Sequence, residues 1–89
     1  MKSVITVIGK DSVGIIARVS LFLAENEINI EDISQTTQGE KFLMVMVVDM
    51  GKSLIPFDKT VTELKNLGDE LGQKIQVRHK TVFDSMHRI

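Results

Sequence analysis

A chain of 89 residues, 43% hydrophobic and 26% charged, suffices for one globular domain and is too short for two. With 11 Lys and Arg against 12 Asp and Glu, the net charge of −1 argues against a nucleic-acid partner held by electrostatics, and the lack of cysteine excludes disulfides, thiolate catalysis and cysteine-ligated zinc. No apolar run reaches the roughly 18 residues of a membrane helix and the opening MKSVITVIGKDS turns polar too soon for a secretory signal, so the expectation is a cytoplasmic protein with no membrane partner.

The β-branched run Ser3–Ile8 reads as a strand with apolar residues on both faces, Val4 and Ile8 on one, Ile5 and Val7 on the other, as in a central strand. Gly9 to Ser12 is turn chemistry, and Asp11 or Ser12 suits a helix cap. Ile15, Ile16, Val19, Phe22 and Leu23 then recur at spacings of three and four, predicting an amphipathic helix over residues 13–27. Residues 28–38 begin with Ile28 and Ile30 in alternation and turn polar. Ile33 breaks the alternation, which points to a bulge or kink. After a turn at Gly39, residues 40–49 alternate Phe42, Met44, Met46 and Val48 with Leu43, Val45 and Val47, the strongest strand signal in the chain. Pro56 suits a first helical position, and Phe57, Val61, Leu64, Leu67 and Leu71 predict a second helix ending near Gly72. Ile75, Val77 and Thr81 alternate with Gln76, Arg78 and Lys80 in a half-buried strand. Residues 83–89 are a short tail, with Phe83, Met86 and Ile89 at one-turn spacing.

The element order is β-α-β-β-α-β. Right-handed crossovers applied twice give four antiparallel strands in the order 4-1-3-2 with both helices on one face, an α+β ferredoxin-like sandwich. The patterning agrees: the two strands with apolar residues on both faces are the two that this order makes central.

That fold hosts many activities, so side chains must decide among them. His79 and His87 are the only histidines, with no HxxxH or HxH spacing and no flanking acidic pair, so neither a metal site nor a Ser-His-Asp triad is expected. RNA readers of the same strand order stack bases on aromatics of strands 1 and 3. Here strand 1 has none, strand 3 has Phe42 alone, and Trp and Tyr are absent from the chain. Gly14-Ile15-Ile16-Ala17-Arg18 is similar to the phosphate loop of acylphosphatases. Thr36 stands near the place of their catalytic Asn, so the water-positioning amide is missing and hydrolysis remains only an alternative.

The run Gly9-Lys10-Asp11-Ser12-Val13-Gly14-Ile15-Ile16 closely resembles the opening of ACT domains, with Val13 where many members have Pro. Glu27-Ile28-Asn29-Ile30 resembles their Gly-x-Asn-Ile segment after helix 1, and the likeness spans the chain. It extends to small stand-alone ACT proteins of bacteria and archaea and to the ACT repeats of the glycine cleavage system regulator. The resemblance implies one ACT domain over residues 1–89 that regulates or senses rather than catalyses, needs no cofactor or metal, and binds a small molecule, most simply an amino acid. The implied ligand residues are Asp11, Ser12 and Gly14 in the strand 1–helix 1 loop and Asn29 opening strand 2. The physics is compatible: Gly14 lets a ligand approach the helix amino terminus, whose free N–H groups favour a carboxylate, and an Asn amide both donates and accepts. Serine-binding members have a His two residues before the loop Asn, and here that position is Gly9, so the ligand need not be serine. A ligand-free interaction module is the other alternative. ACT domains typically pair, and an apolar sheet face of several hundred Å² is rarely left in water, so a homodimer is expected, covering the helix-free face or joining the sheets edge to edge. The tail is expected on that face or on the second copy.

Overall fold

The computed structural model describes residues 1–10 and 13–87. In chain order the elements are β1 (Lys2–Lys10), α1 (Val13–Glu25), β2 (Asn29–Gln38), β3 (Lys41–Asp49), α2 (Phe57–Leu71), β4 (Lys74–His79) and α3 (Lys80–Met86). The strands form one antiparallel sheet in the order β2-β3-β1-β4, the order expected, read from the other edge.

Register assigns the faces. Ile5 lies opposite Met46 and Val7 opposite Met44 across β1 and β3, while Ile5 opposes Val77 and Val7 opposes Ile75 across β1 and β4. These side chains, with Phe42 and Val48, meet Ile15, Val19 and Leu23 of α1 and Leu64 of α2 in one core. Burial of each such side chain contributes about 1.5–3 kcal/mol, which is what holds two short helices on the sheet. Of the two apolar sets on β3, the helices therefore cover Phe42, Met44, Met46 and Val48, and the open face carries Leu43, Val45 and Val47.

The bulge lies two residues before the break that announces it. Ile30 pairs with Val48 and Asp32 with Val47, leaving Glu31 as the extra residue. That insertion reverses the parity, so Ile30 and Ile33, three apart in sequence, both fall on the helix side, Ile33 opposite Met46. Glu31 in turn pairs with Lys2 Nζ at 2.7 Å.

β4 stops at His79, and Thr81 belongs to α3 rather than to the strand. The Lys80–Asp84 ion pair at 2.6 Å and the Phe83–His87 stack at 4.0 Å tie the turns of α3 together. α3 packs against β1 and β4. Val4 points to the face away from α1 and α2 yet is only 2% exposed, so α3 is the element that covers it. The expected apolar position Ile89 lies outside the described residues.

Candidate functional site

The two ends of the sheet are built differently. At one end β1 begins, β2 begins and β3 finishes: Lys2 lies opposite Asp49, and Asp49 opposite Asn29. Here α1 closes with Ile28 N–H donating to Leu23 O at 2.9 Å and Glu27 N–H to Ala24 O at 3.2 Å. This is the double bond pattern of a Schellman closure, and it holds Glu27 in the left-handed region at φ 55°. The exit puts Glu27, Ile28 and Asn29 around a recess of about 460 Å³, completed by Asp49 and Lys52. Asp49 Oδ1 accepts from Gly51 N–H at 2.8 Å, an Asx turn that fixes this carboxylate and the loop leading to Lys52. Lys2 is raised above the ordinary lysine value by its hydrogen bond to Glu31, by the charge of Glu31 and, more weakly, by that of Asp49. The recess thus offers an amide, carboxylates and an ammonium within the space of a small metabolite.

At the other end β1 runs out at Lys10, directly opposite Lys41 at the start of β3. Gln73, in the α2–β4 connection, is 8% exposed and its Nε2 donates to Lys10 O at 3.0 Å. A Cβ on Gly9 would lie 1.7 Å from Gln73 Oε1, and one on Gly68 would lie 2.6 Å from Gln73 O. Gln73 is therefore wedged between two glycines, one from β1 and one from α2. A side chain at position 9, such as the His of serine-binding ACT domains, has no room here. Beside this contact lies a groove of about 880 Å³ lined among others by Ile8, Lys10, Lys41 and Gln73.

Of the residues expected to bind ligand, Gly14 is exposed in the first turn of α1 at the Lys10 end, and Asn29 is exposed at the opposite end. The span of β3 from Phe42, opposite Gly9, to Asp49, opposite Asn29, is ~23 Å at roughly 3.3 Å per residue, so one chain does not bring Gly14 and Asn29 together. Asp11 and Ser12 lie outside the described residues. The other candidates are occupied elsewhere. Arg18 Nη2 is 3.3 Å from Glu70 Oε1 on α2, so its guanidinium is already engaged in an ion pair. Phe42 is 2% exposed beneath the helices, not on a base-stacking face. His79 stacks on Phe57 at 4.2 Å. Among the described residues no group of three His, Asp or Glu side chains is placed to hold a metal ion, and no helix is long and apolar enough to cross a membrane.

Glu27, Asp49 and Lys52 were not legible as site residues. The Asp49-Met50-Gly51 turn was the one usable signal, since Asp two residues before Gly favours an Asx turn.

Residues 3–78 match the ACT domain family. The chain belongs to that family. Relatives cover it from end to end: it is 53% identical over 89 residues, all of both chains, to a UPF0237 protein of Clostridium acetobutylicum. It is 45% identical over 86 residues, 97% of this chain and 96% of the other, to a UPF0237 protein of Methanocaldococcus jannaschii. Among solved structures, an ACT domain protein from Streptococcus pneumoniae superposes with a TM-score of 0.81 at 40% identity over 94% of each chain. A formyltetrahydrofolate deformylase from Burkholderia mallei shares the fold at 12% identity and a TM-score of 0.77, over 88% of this chain and 28% of the enzyme. ACT membership suggests a regulatory, ligand-binding role.

Proposed function

We propose that this ACT domain is a regulatory module that binds an amino acid at the boundary between two copies of the chain and catalyses no reaction. The observation that carries the reading is the recess around Asn29: a space of about 460 Å³ whose lining includes Asn29, two carboxylates and Lys52. A free amino acid has one positive and one negative end, and this lining can meet both.

The distance between Gly14 and Asn29 constrains the assembly. Both can serve one ligand only if a second copy is turned end for end. β2 is an edge strand ten residues long with exposed side chains along nearly all of it. Pairing two β2 edges antiparallel, about a two-fold normal to the sheet, carries Asn29 of one copy to the Gln38 end of the other. At that end β1 runs into α1 and Asp11, Ser12 and Gly14 stand in sequence. The same pairing satisfies the open N–H and C=O groups of two exposed edges.

The test is a thermal-shift screen of the twenty amino acids, with mass measured by light scattering. Wild type should be a dimer, and at least one amino acid should raise its melting temperature. Asn29→Ala and Gly14→Val should bind roughly ten- to hundredfold more weakly, the loss of a charge-assisted contact worth about 1.5–3 kcal/mol, with the fold intact. A monomer, or no shift with any amino acid at millimolar concentration, defeats the reading in favour of a ligand-free interaction module.

A further inference from the structure

Glu27 occupies a backbone position that suits glycine. The residue after the cap of a Schellman closure takes the left-handed conformation, which glycine adopts freely and a residue with a Cβ does not. The other two positive-φ positions among the described residues are Gly39 at 62° and Gly72 at 71°, and Glu27 at 55° is the one non-glycine. Local packing does not account for it. The Glu27 side chain is exposed, and among the described residues it forms no ion pair and no side-chain hydrogen bond. What it does is line the Asn29 recess. Lys52, which lines the same recess, is likewise exposed and without an ion pair among the described residues, while Asp49 is already committed to Gly51 N–H. Two uncommitted opposite charges thus share the lining of one small recess with the Asn29 amide, without pairing with each other.

We propose that Glu27 is a specificity-determining residue for a zwitterion: its carboxylate receives the ligand's ammonium, and the Lys52 ammonium receives the ligand's carboxylate. This rests on the amino-acid reading of the recess and goes past it, because it assigns each end of the ligand to a side chain and adds a second acidic contact to the one expected of Asp11. It also explains why a strained residue stands where glycine would stabilise the chain: strain concentrates where side-chain chemistry is needed.

The decisive property is that stability and binding should move in opposite directions. Glu27→Gly should raise the melting temperature of the unliganded protein by about 2–6 °C while weakening amino-acid binding at least tenfold by calorimetry. Glu27→Gln keeps the backbone conformation and removes the charge, so it should bind as weakly with an unchanged melting temperature. Each of the twenty amino acids is compared with its N-acetyl derivative, which lacks the ammonium and should not bind wild type. If wild type binds an amino acid and Glu27→Gly binds it equally well, Glu27 has no part in the site and the assignment falls while the amino-acid reading stands. Equal binding of the N-acetyl derivative overturns the ammonium contact. If wild type binds no amino acid, both fall together.

Discussion

The two ends of the sheet use glycine in opposite ways. At the Lys10 end, Gly9 and Gly68 are present because Gln73 needs the space: any Cβ would meet its side chain at 1.7 Å or its carbonyl at 2.6 Å. At the Asn29 end, a position that favours glycine carries Glu27, an exposed residue that lines a recess. One end is packed tightly around Gln73 beside the larger groove, and the other carries uncommitted charge around the smaller recess.

The largest effect should come from filling the packing around Gln73 against backbone. Gly68→Ala gains about 1 kcal/mol of helix propensity, but its Cβ has no path away from Gln73 O or from Ile75 Cγ1 at 3.0 Å, so a net loss of about 2 kcal/mol or more is expected in urea unfolding. A Gly68→Ala variant as stable as wild type would mean that the α2–β4 contact yields easily, and the contrast between the two ends would weaken.

Gly9→Ala should cost less, about 1–2 kcal/mol, since its neighbour is a side-chain amide that can swing aside at the expense of the bond to Lys10 O. The sharper measurement is the cycle with Gln73→Ala. In that background Gly9→Ala should cost under about 0.5 kcal/mol, because the obstruction is gone. Additive losses would show that Gly9 serves the strand itself and not Gln73.

The smallest effect belongs to the Asn29 end. The raised Lys2 value means that its ion pair with Glu31 contributes fully below about pH 10.4, the ordinary lysine value, and is lost as pH rises through the higher folded value. The stability difference between wild type and Lys2→Met should therefore be constant near neutral pH and shrink as pH rises past the ordinary lysine value. The pair is exposed, so the change is minor, and a difference independent of pH would remove Glu31 as the partner.

Much of this was legible in the sequence because it depends on local periodicity. The alternation of Phe42 through Val48, the three-and-four spacing of Ile15 to Leu23 and of Phe57 to Leu71, and the glycine after Leu71 are one-dimensional signals, and chain connectivity converts them into a strand order with few alternatives. The parity break at Ile33 announced a bulge, but its position at Glu31 depends on the register with β3. Which apolar face of β3 the helices cover also depended on the three-dimensional assembly, since both sets are hydrophobic enough. The candidate site was half legible. Asn29 was recognisable from its motif, whereas Glu27, Asp49 and Lys52 come from a helix exit, a strand end and a loop that only folding brings to one recess. The wedge of Gln73 between Gly9 and Gly68 has no sequence signature either, because steric exclusion between distant segments is a property of the packed state: the chain specifies where its elements turn and what they bury, while close approach and converging charge exist only once those elements are docked.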